Sequence, residues 1–170
     1  MKKYIYDLDN TLVYSNYLNN YSYNYALKVK GIHPVNGYER ITRDVIIKKY
    51  PELDDKLLNE IIQIKQLIFL CNLKYTKPNL NLIEFVKSGL KDNAILWTSG
   101  DRNRVISILR YYDITNCFKY VLFSNKENIS EDIIKICSIF NCTPQNLVFF
   151  EDNIEVINKI KKLDVEVLKV

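Results

Sequence analysis

The chain is poor in the residues that most often carry metal or nucleophile chemistry: 170 residues hold one histidine, four cysteines, one methionine and one tryptophan, with only four glycines. The single histidine falls in His33-Pro34-Val35-Asn36-Gly37, a loop signature, and is expected to be a loop residue rather than a catalyst. Cys71, Cys117, Cys137 and Cys142 form no C-x-x-C pair and have no histidine at metal spacing, so they read as reduced core thiols rather than a zinc or redox centre. No apolar window reaches the length of a membrane span, and Met1-Lys2-Lys3 leads straight into a strand instead of a secretory h-region. The expectation is a reducing cytoplasm with no membrane partner. A dense run of one charge is also missing. The 24 basic and 20 acidic residues, net +4, are scattered along the chain, so nucleic acid is not a required partner.

What is present is ordinary for a soluble globular protein, at 48% hydrophobic and 26% charged residues, and long enough to bury a sizeable core. The abundance of Lys, Asn, Ile and Tyr has the look of an AT-rich genome, and the 13 tyrosines need no functional story of their own. Lys2 to Leu12 reads as a short apolar strand ending in Asp7-Leu8-Asp9-Asn10. Residues 14–75 then read as helical. A stripe of Tyr14, Leu18, Tyr21, Tyr25 and Val29 runs up to Gly31, a second helix starts near Thr42, and Leu57, Ile61, Ile64, Ile68 and Cys71 mark a longer one after Pro51. From Lys77-Pro78 onward strands and helices alternate. Ala94–Trp97, Tyr120–Phe123, Leu147–Phe150 and Val165–Val170 are the strands, and the apolar run at 94–97 is typical of a strand buried on both faces. Such alternation predicts a Rossmann-like α/β fold, a parallel sheet flanked by helices, formed by 1–13 and 76–170 and carrying an inserted helical cap at 14–75 over the strand ends.

Ligands of open α/β sheets bind at the carboxyl ends of the strands, and four such ends carry chemistry here. Asp7 and Asp9 can converge on one substrate while keeping different environments, as a nucleophile and a proton carrier require. Thr98, Ser99 and Gly100 offer hydroxyls and amides for phosphoryl oxygens, or else cap the next helix. Lys126 can neutralise a transferring phosphoryl group, or else be a solvated loop residue. Glu151 and Asp152 suit Mg²⁺, a hard cation that takes oxygen ligands, although Asp152 also reads as a helix cap. Each signal is ambiguous alone, but they recur in order at successive strand ends.

In this arrangement the chain resembles the haloacid dehalogenase superfamily, with Asp7-Leu8-Asp9-Asn10-Thr11 similar to its first motif, Thr98 to its second, Lys126 to its third and Glu151-Asp152 to its acidic fourth. The resemblance implies an Asp7 nucleophile giving an aspartyl-phosphate, and an Asp9 that protonates the leaving oxygen and then activates water. It further implies Thr98 and Lys126 on the phosphoryl oxygens, with Ser99 and Gly100 beside them, and Mg²⁺ among Asp7, Asp9 (through its carbonyl), Glu151 and Asp152. The presence of Asp9 favours phosphatases or phosphomutases over dehalogenases and ion pumps. The chain departs from the pattern where Glu127 replaces a common proline after Lys126, and where Leu163-Asp164 replaces a glycine before the last strand. The expected function is a Mg²⁺-dependent phosphatase of a small phosphorylated metabolite. Alternatives are a sugar phosphomutase of the β-phosphoglucomutase type, suggested by the Glu-Asp pair, and a non-catalytic binding module with the same fold.

Overall fold

The computed structural model describes residues 1–89 and 91–170. By internal contacts they form two units, Met1–Tyr14 with Pro78–Val170, and Ser15–Lys77.

The first unit is built on β1 (Lys3–Tyr6), with β2 (Val13–Tyr14) where the chain leaves it; the second contains α1 (Asn16–Val29), α2 (Arg43–Lys49) and α3 (Asp55–Cys71). After β3 (Lys77–Pro78) the first unit resumes with α4 (Leu80–Lys87), β4 (Ala94–Thr98), α5 (Arg102–Tyr111) and β5 (Tyr120–Phe123). It ends with α6 (Ile129–Phe140), β6 (Leu147–Glu151), α7 (Ile154–Lys161) and β7 (Glu166–Lys169). Five strands make one parallel sheet in the order β5-β4-β1-β6-β7. The chain moves outward from β1 through β4 to β5, crosses back to β6 and continues to β7. The connections leaving β1 and β6 therefore run to opposite sides, which opens a crevice at their carboxyl ends.

Alternation of side chains sorts the sheet into two apolar faces. Ile5, Ile95, Trp97, Leu147 and Phe149 join a core with Ile129, Ile133, Ile136 and Phe140 of α6 and Val156 and Ile160 of α7. Tyr4, Tyr6 and Phe150 point the other way and gather with Phe85 of α4; the Tyr6 and Phe150 rings stack at 4.8 Å. With both faces covered, β4 is buried along its whole length, as its continuous apolar run predicts. Burial of each large apolar side chain is worth about 1.5–3 kcal/mol.

In the helical unit the predicted α1 stripe misses the buried face and the α3 stripe meets it in part, with Ile61 buried and Leu57 and Ile64 packed half-buried against the same core. Of the α1 stripe only Leu18 is buried, while Tyr14, Tyr21, Tyr25 and Val29 are exposed. The buried face is Leu18, Asn19, Ser22, Tyr23, Ala26 and Leu27. Small Ser22 and Ala26 admit the neighbouring α3, and Asn19 can be buried because its Nδ2 donates to the Ile41 carbonyl at 2.8 Å. On α3 the buried line is Leu58, Ile61, Lys65 and Phe69. The Lys65 ammonium lies 5.1 Å and 5.4 Å from the Tyr23 and Phe69 ring centroids, so a residue that counts as polar in a pattern occupies the core face. The cysteines differ from expectation as well. Cys71 is exposed and the other three are half-buried, with Cys137 and Cys142 packed against the edge of the core, and all four are free thiols. Among the described residues no helix is long and apolar enough to cross a membrane.

Candidate active site

β1 is short and apolar, and its register with β4 and β6 (Tyr6 beside Leu96 and Phe150) sets the next residue, Asp7, between the exits of both neighbours. The Asp7 N–H still donates to the Phe150 carbonyl at 3.0 Å, so the carboxylate projects from ordered strand. The chain then turns sharply. Leu12 and Val13 both donate to the Leu8 carbonyl, and Asn10 takes a left-handed φ of 60°, a conformation asparagine tolerates better than most residues. Leu8 and Leu12 are fully buried and anchor this turn, which holds Asp9 next to the strand end.

Lys126 Nζ lies 2.6 Å from Asp7 Oδ1 and 2.7 Å from Glu151 Oε2, and all three side chains are buried. The loop residue with the weakest claim in the sequence thus bridges two motifs that lie 119 and 25 positions from it. Its backbone is left-handed at φ 59°. The strain is met by a hydrogen bond from its N–H to Ser124 Oγ at 3.0 Å, and Ser124 in turn donates to Asp132 Oδ2 at 2.5 Å. The same Asp132 oxygen accepts from Trp97 Nε1 at 2.9 Å, and the ammonium of Lys126 stands 4.3 Å from the Trp97 ring centroid. One carboxylate at the start of α6 therefore fixes both the loop and the aromatic surface that hold Lys126.

Carboxylate oxygens of Asp7, Glu151 and Asp152 lie within 4.8 Å of one another. Burial raises the Asp7 pKa to about 7; Lys126 opposes the rise, and Glu151 and Asp9 add to it. Asp152 is raised too, by burial and then by Glu151. Burial works against charge on Lys126, yet its two carboxylates hold its pKa above the ordinary value. Glu151 uses both oxygens locally, Oε2 on Lys126 and Oε1 on the Asn153 N–H at 3.1 Å. Asp152 is not consumed as a helix cap, because Asn153 caps α7, accepting from Glu155 and Val156. A divalent cation fits this donor set. Asp7, Glu151 and Asp152 bring three carboxylates together with the one ammonium of Lys126, an excess of hard oxygen donors that a divalent cation would balance.

Thr98 ends β4 and is buried, while Ser99 is exposed. Neither caps α5; Asp101 does, accepting from the Arg104 N–H at 3.0 Å. Thr98 Oγ1 instead accepts from the Gly100 N–H at 3.1 Å, which closes a tight loop. Gly100 is required sterically. A Cβ there would come within 2.7 Å of Arg104 Nη2 and 2.8 Å of Val105 Cγ2.

Arg104 is the site residue that sequence reasoning missed. Its Nη1 and Nη2 donate to Asp9 Oδ1 and Oδ2 at 2.6 Å and 2.5 Å, from a side chain only 5% exposed. The available signal was an arginine one turn beyond the Thr98–Gly100 loop, on a helix whose other inward residues are apolar. The structure thus joins Asp7, Lys126, Glu151 and Asp152 directly, and sets Asp9 beside Thr98 and Gly100 through Arg104.

A family model described as haloacid dehalogenase-like hydrolase matches residues 4–170. No curated protein matches the chain. Among solved structures, a predicted phosphoglycolate phosphatase from Haemophilus somnus 129PT is similar at TM-score 0.83 and 18% identity, over 99% of this chain and 84% of that one. A HAD hydrolase of family IA, variant 3, from Entamoeba histolytica matches at TM-score 0.76 and 17% identity, over 100% and 84% of the two chains. An inferred beta-phosphoglucomutase from Thermotoga maritima matches at TM-score 0.72 and 21% identity, over 99% and 85%. Identities this low speak for a common fold.

Proposed function

We propose that this chain, which belongs to the haloacid dehalogenase-like hydrolase family, is a Mg²⁺-dependent phosphatase that hydrolyses a small phosphorylated metabolite through an aspartyl-phosphate on Asp7. The observation that carries this reading is the buried Asp7–Lys126–Glu151 cluster with Asp152 beside it, a cation-poor group of carboxylates at the sheet's switch point.

In this reading one oxygen of Asp7 pairs with Lys126 and the other attacks phosphorus, with the leaving oxygen departing on the opposite side. Asp9 gives a proton to that oxygen and then takes one from the water that cleaves the acyl phosphate. Lys126, the Thr98 hydroxyl and the Ser99 amide receive the phosphoryl oxygens, with Gly100 closing the loop that presents them, so that donors fixed in place meet the charge of the transferring group. Asp7, the Asp9 carbonyl and Asp152 would hold Mg²⁺ with Glu151 close by, and the ion would neutralise charge shared between nucleophile and phosphoryl group. The helical unit at Ser15–Lys77 is read as the family's cap, with the role of choosing the leaving group.

Hydrolysis of a generic aryl phosphate tests the reading. Turnover with Mg²⁺ that disappears in EDTA and in Asp7→Asn supports it; turnover that survives both overturns it. The Glu151-Asp152 pair and the likeness to the Thermotoga maritima protein favour a second reading, a sugar phosphomutase. Stimulation by a sugar bisphosphate and a long-lived phosphorylated Asp7 would mark that alternative.

A further inference from the structure

The fork between Arg104 and Asp9 lies outside the roles that the motif residues carry. Arg104 stands in the first turn of α5, where its own N–H is held by the cap Asp101, and its guanidinium reaches back across the Thr98–Gly100 loop to a carboxylate 95 residues away in sequence. Burial acts against its charge, but Asp9, followed by Asp101 and Asp7, holds it protonated. Both oxygens of Asp9 are gripped, by two different nitrogens. A single contact would leave the carboxylate free to rotate about it, whereas a planar fork fixes the plane of the carboxylate as well as its place. An ionised carboxylate offers about four lone-pair sites, of which the fork takes two. The close packing at Gly100, where a Cβ would reach Arg104 Nη2, means that the guanidinium itself is located by the loop that receives phosphate.

We propose that Arg104 is a positioning residue that orients Asp9 for proton transfer and acts on the reaction only through that carboxylate. The inference rests on Asp9 being the proton carrier of the proposed phosphatase. It assigns Arg104 no contact with substrate. Arg104→Met removes the fork at similar volume, and Arg104→Lys keeps the charge but can meet only one oxygen, so the two separate charge from geometry.

The test is a steady-state comparison of wild type, Arg104→Met, Arg104→Lys, Asp9→Asn and the Asp9→Asn/Arg104→Met double variant on one phosphomonoester with Mg²⁺, with thermal melts of each. Arg104→Met is expected to lower kcat about 100-fold, the scale of a roughly 1 Å misplacement of a catalytic group, with KM within about twofold. Arg104→Lys stays at least about 10-fold below wild type, on the same scale. The double variant is no slower than Asp9→Asn alone, because the arginine has nothing left to position. Should Arg104→Met melt without cooperativity, the Lys variant and its own cycle with Asp9→Asn give the same comparison. A kcat within about twofold of wild type in both arginine variants would overturn the proposal. So would losses that multiply in the double variant, the behaviour of an arginine that serves the fold or the phosphate directly. Failure of the phosphatase reading has a different mark, an Asp7→Asn variant that keeps full turnover.

Discussion

A carboxylate cut off from water resists ionisation, and Asp7 has its pKa raised by burial to about 7 despite the ammonium at 2.6 Å. An unfolded aspartate ionises near pH 3.9. Between those values the folded chain binds the proton that the unfolded chain has lost, so the contribution of Asp7 to stability falls as pH rises from about 4 to about 7. Asp152 is shifted in the same direction. In EDTA the melting temperature of wild type, taken relative to Asp7→Asn, is therefore expected to decline across that interval. Saturating Mg²⁺ should restore most of the loss at the upper end, where the carboxylates are ionised and the cation binds only the folded site. Parallel pH curves for the two proteins in EDTA would contradict this electrostatic picture of the cluster.

Elements deliver these residues through corners that a glycine-poor chain has to build from other side chains. Among the described residues, five that are not glycine hold a left-handed backbone: Asn10, Asp113, Lys126, Asn141 and Asp164. Four are asparagine or aspartate, which bear that conformation at least cost. Asp164 does so where the family resemblance led one to expect glycine. Lys126 is the exception, and its turn is held by the network from Asp132 on α6 to Ser124 and to Trp97 on β4. Asp132→Ala leaves two buried-side donors without an acceptor and is expected to cost about 1–3 kcal/mol. It should also shift the emission of Trp97, the sole tryptophan, and lower turnover in the proposed reaction through Lys126. Asp132→Asn, which keeps an acceptor oxygen in place, should retain most of all three. Equal effects of Ala and Asn would show that the oxygen shared by Trp97 and Ser124 does not hold the loop.

The same elements show which levels of structure can be read from sequence. Ala94–Trp97 and Leu147–Phe150 are legible because strands buried on both faces must be apolar throughout. The faces of α1 and α3 are less so, since Asn19 and Lys65 are buried against the Ile41 carbonyl and the Tyr23 ring, partners supplied by other segments, and Ser22 is buried by returning its hydroxyl to the Leu18 carbonyl one turn back. Asp7, Asp9, Thr98, Lys126, Glu151 and Asp152 stand out because they follow strand ends in order. Arg104 and Asp132 lie inside helices, where their partners are fixed by tertiary folding over 95 and 35 positions.

At the scale of the whole molecule, the reversal of strand order around β1 converts four separate loops into one site, and that site carries more negative than positive charge inside a chain of net charge +4. Local excess of carboxylates on a basic protein is costly unless a cation or a reaction requires it. The central claim is that Asp7 spends the resulting reactivity as a nucleophile toward phosphorus. Acid-quenched turnover of a reactive phosphate donor, followed by mass spectrometry of the peptide that spans Asp7, tests it most directly. A phosphoryl adduct on Asp7 that needs Mg²⁺ and is absent from Asp7→Asn is the predicted result. Phosphate release at the same rate with no adduct on Asp7 at any quench time, or an adduct carried by another residue, would contradict it.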